Sequence, residues 1–125
     1  MKSSVKIEIY GSRERYWGYV RFTDREGTEH VRTAAGKREG SVKSNTLQAL
    51  IECLKLLIRP CMVDVYTKMD EIIEPFKQGW IYNWEKNDWT NAKGRRVQCA
   101  DQWQEAKLLL SEHSVRFMKM EDDKK

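Results

Sequence analysis

The chain lacks most of what marks a secreted or membrane-bound protein. Its 125 residues contain no apolar run near the roughly 18 residues that a membrane-spanning helix needs. The opening, Met1 to Tyr10, moves straight into an alternating pattern instead of the apolar core of a secretory leader. A soluble, intracellular, cytoplasmic protein is the expectation. Cysteine is scarce: Cys53, Cys61 and Cys99 are odd in number, lie far apart and form no C-x-x-C pair. That excludes a disulfide framework and gives no zinc-ligand spacing. His30 and His113 are the two histidines, each without a ligand partner at recognisable spacing. Charge of one sign is also modest: 23 Lys and Arg against 19 Asp and Glu leave +4, which permits a polyanionic partner without requiring one. No internal repeat or low-complexity segment is present.

What is there is a folded domain. Hydrophobic residues are 40% of the chain, with 5 Trp, 5 Tyr and 3 Phe, enough large apolar surface to build a core despite a mean hydropathy of -0.76. The length fits one domain, read here as residues 1–120, followed by a solvated charge run over 121–125. Val5, Ile7 and Ile9 alternate with Lys6, Glu8 and Tyr10, which predicts a first strand over 5–10. A second strand is predicted over 16–23, a turn at Gly27, and a third over 28–33. The charged, glycine-containing stretch 34–43 reads as a loop. Ser44 or Asn45 then suits the cap of a helix carrying Leu47, Leu50, Ile51, Cys53, Leu54, Leu57 and Ile58, ended by Pro60. A fourth strand follows over 62–67, then helices over 69–76 (interrupted at Pro75), 79–86 and 100–112, and a last strand over 114–120. This order describes a single α/β domain with a mixed sheet.

Four local motifs point further. The clearest is Trp80-Ile81-Tyr82-Asn83-Trp84-Glu85-Lys86, continuing through Trp89 to Asp101-Gln102-Trp103-Gln104. With it go Ile9-Tyr10-Gly11-Ser12, Ser44-Asn45-Thr46-Leu47 and Tyr66-Thr67-Lys68. Taken with the element order, they resemble the ribonuclease H type 1 family across nearly the whole chain. The resemblance implies an RNase H-like mixed five-stranded sheet, three antiparallel strands and then parallel ones, flanked by helices, with the family's final helix missing. It also implies an RNA/DNA hybrid as partner, gripped by the helix and basic protrusion that follow Trp80.

The departures bear on chemistry. Family members hold two Mg²⁺ ions about 4 Å apart between carboxylates, and the three family positions that align here carry Tyr10, Thr46 and Lys68. A phenol and a hydroxyl are poor Mg²⁺ ligands and an ammonium repels the ion. The expectation is therefore no catalytic residue, no resident metal and no cofactor, with Mg²⁺ needed only if the chain is an enzyme after all. The leading reading is a catalytically inactive nucleic-acid-binding domain for RNA/DNA hybrid or structured RNA. Its candidate contacts are Asn45, Thr67, Lys68, Lys86, Trp89, Lys93, Arg95 and Arg96, with the backbone near Gly11 and Ser12. For Lys68 a solvated strand-end residue is the competing reading. Trp80, Trp84 and Trp103, at helical spacing, are read as core. Two alternatives stand beside this: a metal-dependent ribonuclease H whose carboxylates come from Glu8, Asp64, Asp70, the tail or a partner, and a protein-interaction scaffold on the same fold.

Overall fold

A computed structural model describes residues 3–120; the charge run over 121–125, with its acidic residues Glu121, Asp122 and Asp123, lies outside them. The described chain runs β1 (Ser3–Gly11), β2 (Arg15–Thr23), β3 (Glu29–Lys37), α1 (Val42–Lys55), β4 (Cys61–Thr67), α2 (Asp70–Lys77), α3 (Trp80–Lys86), α4 (Ala100–Leu110) and β5 (Ser114–Lys119). The strands form one mixed sheet in the order β3-β2-β1-β4-β5. β1, β2 and β3 pair antiparallel, while β4 pairs parallel to β1 and β5 parallel to β4. The α/β class and the mixed sheet follow the sequence reading.

Period-2 alternation sends Val5, Ile7, Ile9, Val20, Val63, Val65 and Phe117 to one face, where all are buried. Against that face lies α1, with Leu47, Leu50, Ile51 and Leu54 fully enclosed, each worth about 1.5–3 kcal/mol in surface removed from water. Close seating of α1 on β2 depends on Gly18: a Cβ there would sit 2.6 Å from Cys53 Sγ. An aromatic series then ties the second half of the core together. Phe117 of β5 stacks on Phe76 of α2 at 4.3 Å, Phe76 meets Trp103 of α4 edge-on at 5.4 Å, and Trp84 of α3 lies 5.8 Å from Trp103.

Several boundaries differ from the sequence reading. β3 runs on to Lys37 because Ala34–Lys37 pair with Arg15–Gly18, and ladder hydrogen bonds do not require an apolar side-chain pattern. The α1 cap is Ser41, whose hydroxyl accepts from the Ser44 amide at 3.0 Å; Ser44 and Asn45 lie inside the helix. That helix ends at Lys55, well before Pro60. Pro75 sits within α2 without ending it, since so short a helix has few interior hydrogen bonds for a proline to remove. Trp80, expected in the core, is 44% exposed at the start of α3.

Cys53 is fully enclosed, and burial, the first cause, with Glu52 nearby, pushes its thiol up to about 12 from 9.0. The fold therefore favours the protonated thiol. That contribution is complete below the ordinary pKa and is lost as pH rises from there towards about 12. Cys61 is also buried, and Cys99 is partly exposed. At pH 8 a thiol reagent is expected to label Cys99 alone in the native protein and all three cysteines after denaturation. Rapid native labelling of Cys53 would contradict this packing.

Candidate nucleic-acid interface

The aligned family positions converge at the end of the sheet where β1 meets the first turns of α1. A Cβ on Gly11 would lie 2.5 Å from the Thr46 amide nitrogen and 2.6 Å from its hydroxyl, so only glycine lets strand and helix approach this closely. Thr46 is buried and donates its hydroxyl hydrogen to the Val42 carbonyl at 2.8 Å. Tyr10 stacks on Trp17 at 5.6 Å and donates its phenol to Met120 Sδ at 3.4 Å. Burial, then the nearby Glu8 and Tyr19, raises the Tyr10 phenol above its ordinary value, partly offset by Lys68 and Arg21. The group stays a neutral phenol. Lys68 is exposed just beyond β4 and close enough to act on Tyr10.

These residues do not fit a divalent cation, which is held by carboxylate and carbonyl oxygens. Nor do the neighbouring carboxylates stand ready. Glu8 accepts from Arg21 Nε at 2.9 Å and lies 3.9 Å from Lys6. Asp64 is gripped through both oxygens by Arg116, at 2.9 and 3.1 Å, and Asp70 pairs with Lys119 at 2.9 Å. Among the described residues no three His, Cys, Asp or Glu side chains gather in a metal-binding group.

Asn45, a candidate contact, is engaged as an internal clamp. Its side chain is fully buried, with Nδ2 donating to the carbonyls of Ser12 at 2.6 Å and Arg38 at 2.8 Å, while Oδ1 accepts from Arg38 Nη1 at 3.0 Å. Every polar atom of the amide is engaged in joining the β1 end to the loop before α1. Thr67 is likewise engaged internally: its position in β4 turns it to the core face, where its hydroxyl accepts from the Met69 amide at 3.2 Å.

The segment between α3 and α4 forms a small hairpin, with an isolated bridge between Thr90 and Arg96 and the Asn91 amide donating to the Arg95 carbonyl at 2.7 Å. Asn91 Oδ1 accepts from the amides of Lys93 and Arg95, fixing the tip. Lys86, Lys93, Arg95 and Arg96 are all exposed, and Arg96 pairs with Asp101 at 2.7 Å. Trp89 breaks the expected pattern. Asp88 and Trp89 both take left-handed backbone angles, with φ of 56° and 60°. The ring belongs to the core and is only 8% exposed. What little of it is exposed borders a shallow groove with Glu85, Gln104 and Leu108.

Sequence reasoning missed the brace behind this interface. Gln102 Nε2 donates to the Ser44 carbonyl at 2.9 Å and to Gln48 Oε1 at 3.0 Å, and its Oε1 accepts from the Ser44 hydroxyl at 2.7 Å. Arg38 Nη1 donates to the same Ser44 hydroxyl at 2.9 Å, and Lys43 reaches Gln98 at 3.3 Å. These bonds fix the N-terminal turns of α1 to α4 and hence to the base of the hairpin. The signal lay in Gln102 within the Asp101-Gln102-Trp103-Gln104 run, a polar residue flanked by a core tryptophan.

Known proteins resemble this chain in sequence and in fold. A profile of the RNase H family matches residues 7–122. Over 74 residues the chain is 39% identical to the ribonuclease H of Chlorobium chlorochromatii, covering 59% of this chain and 51% of that protein. Over 71 residues it is 41% identical to the ribonuclease H of Thermus thermophilus, covering 57% and 43%. The chain thus spans about half the length of the curated relatives it matches. LC9-RNase H1, described as a type 1 RNase H with the type 2 active-site motif, superposes with a TM-score of 0.82. That match covers 96% of this chain and 64% of LC9-RNase H1 at 17% identity. The foamy viral protease-reverse transcriptase in complex with RNA/DNA hybrid superposes with a TM-score of 0.71 at 11% identity, covering 94% of this chain and 17% of that one. At these identities the superpositions establish the fold.

Proposed function

The chain belongs to the ribonuclease H family, and from that premise we propose that this domain binds nucleic acid, an RNA/DNA hybrid or structured RNA, without hydrolysing it. The observation that carries the reading is the side-chain chemistry at the family positions: a neutral phenol at Tyr10, a buried hydroxyl at Thr46 and an ammonium at Lys68. No described carboxylate occupies any of the three. Meanwhile Lys86, Lys93, Arg95 and Arg96 stay exposed on and beside a rigidly supported hairpin. Cations held this way neutralise phosphates and release counterions, which makes binding salt-dependent and largely indifferent to sequence. The 2′-hydroxyls and A-like shape of a hybrid or RNA would supply the remaining selectivity.

A second reading, a metal-dependent hydrolase with relocated carboxylates, draws on the ribonuclease H name of the relatives. It requires Glu8, Asp64 or Asp70 to leave Arg21, Arg116 or Lys119, or a partner to supply the ligands. One assay separates the readings: a labelled RNA/DNA hybrid incubated with and without Mg²⁺ and Mn²⁺ across a salt series, scored for retarded migration and for cleavage. A salt-sensitive shift that needs no metal, with intact hybrid, is the expected result. Metal-dependent cleavage that disappears in Asp70→Asn would overturn it in favour of the hydrolase. The absence of any shift, even at low salt, would leave a protein-interaction scaffold.

A further inference from the structure

β3 stands at one end of the sheet order, so one of its sides has no neighbour among the described residues. Sheet edges are ordinarily kept from pairing by brevity, a bulge or a proline. β3 has none of these: it runs for 9 residues in unbroken register with β2 and contains no proline. Which of its backbone groups are open follows from the ladder. Just beyond the two ends of that register, Arg38 donates its amide to the Glu14 carbonyl and Asp24 its amide to the Thr28 carbonyl, both at 2.9 Å. Bonded and outward-facing residues alternate along an antiparallel pair, so the even-numbered residues of β3 are bonded to β2. Glu29, Val31, Thr33, Ala35 and Lys37 therefore direct their N–H and C=O groups to the open edge.

The order of side chains along that edge is self-complementary. In an antiparallel pair formed with a second copy about a twofold axis at Thr33, every outward-facing residue meets another: Glu29 opposite Lys37, Val31 opposite Ala35, and Thr33 opposite Thr33. Glu29 and Lys37 are exposed, and neither is held in an ion pair among the described residues; Arg21, which Glu29 also influences, is held by Glu8 at 2.9 Å. On the α1 side large residues meet small ones, His30 opposite Gly36 and Arg32 opposite Ala34. Sliding one copy by two residues, the smallest shift that keeps the open backbone groups paired, sets Arg32 against Arg32 in one direction and Val31 against Lys37 in the other. Like charges directly opposite one another are destabilising, and opposite charges are favourable. The register centred on Thr33 is thus the one that uses the whole strand and matches its charges.

We propose that a second copy of this chain pairs with β3 in this register, joining the two sheets into one across a twofold axis. The interface is isologous, so the Glu29–Lys37 contact forms twice and the assembly closes as a dimer. Main-chain hydrogen bonds hold the strands together, and the paired charges fix the register. None of the four hairpin cations takes part, and the dimer stands independently of the nucleic-acid reading.

The test is sedimentation equilibrium of the intact chain, freed of nucleic acid, over concentrations from about 1 μM to about 1 mM, a span that covers weak to moderate association. A monomer–dimer equilibrium is expected. Glu29→Lys and Lys37→Glu should each weaken it about tenfold, because each sets like charges opposite one another twice. An equimolar mixture of those two variants should associate again, since one copy then carries only lysine and the other only glutamate at the two positions. The double exchange, Glu29→Lys with Lys37→Glu, should restore self-association. Thr33→Pro should abolish it while leaving the far-ultraviolet circular dichroism unchanged, because the Thr33 amide faces away from β2 and proline is tolerated on that side of an edge strand. A monomer at every concentration would overturn the proposal, as would a mass that keeps rising with concentration, the mark of head-to-tail stacking. Failure of the mixture and of the double exchange to restore association would overturn the register, and with it the proposal, even if Thr33→Pro proved unable to fold.

Discussion

Replacing Trp103 by alanine is expected to destabilise the domain by about 3–5 kcal/mol, the range for truncating a large buried aromatic. Trp103 is 1% exposed and bridges Phe76 of α2 and Trp84 of α3, so its loss opens a cavity where three helices meet. Its indole N–H has no hydrogen-bond partner among the described residues. A buried donor left unpaired costs about 1–3 kcal/mol, so Trp103→Phe removes that cost while keeping an aromatic ring. Alanine removes that cost as well, so the margin between the two variants reports the cavity, and phenylalanine should cost much less than alanine. Urea denaturation of the three proteins measures this. Equal losses in both variants would mean that the three-helix junction is packed differently.

Neutralising the hairpin should have the largest effect on binding. In a variant carrying Lys86→Ala, Lys93→Ala, Arg95→Ala and Arg96→Ala, hybrid affinity at about 0.1 M salt is expected to fall at least tenfold. The slope of log affinity against log salt should flatten by about 3–4, since each phosphate contact contributes about 0.9. Stability should change little: all four side chains are exposed, and the one ion pair they make among the described residues, Arg96 with Asp101, is at the surface. The hairpin itself is held by Asn91 and the enclosed Trp89, which the substitutions leave in place. An unchanged slope would place the phosphate contacts elsewhere, and retained affinity with a normal slope would remove the hairpin from the interface.

Most of the fold was legible because its signals are local. Alternation in 5–10 and in 114–119, and the three-and-four spacing of Leu47, Leu50, Ile51 and Leu54, report which side of each element faces the core. Residue type at Tyr10, Thr46 and Lys68 is likewise a sequence fact, and with it the mismatch to a metal site. The cap of α1 shows where local reading stops. Ser41, Ser44 and Asn45 are all residues that cap helices, and the choice of Ser41 leaves Ser44 to Gln102 and Asn45 to Ser12 and Arg38. Those partners lie up to 58 residues away along the chain, beyond the reach of any window-based pattern.

Trp89 makes the same distinction at the interface. Its basic, polar neighbours describe a solvated loop, and from sequence the ring is a candidate nucleic-acid contact among them. Two successive left-handed residues instead reverse the chain there, and the ring is enclosed among core residues while the cations stay outside. The sequence by itself determined the element order, the family, the apolar faces and the chemistry at the would-be metal positions, because these depend on residue type and on spacings of a few residues. Tertiary structure alone decided which polar side chains were consumed internally, which carboxylates met cations, and that β5 would form an edge of the sheet. Burial and pairing are set by contacts between elements distant in the chain, and those contacts exist only once the sheet and helices have closed on one another.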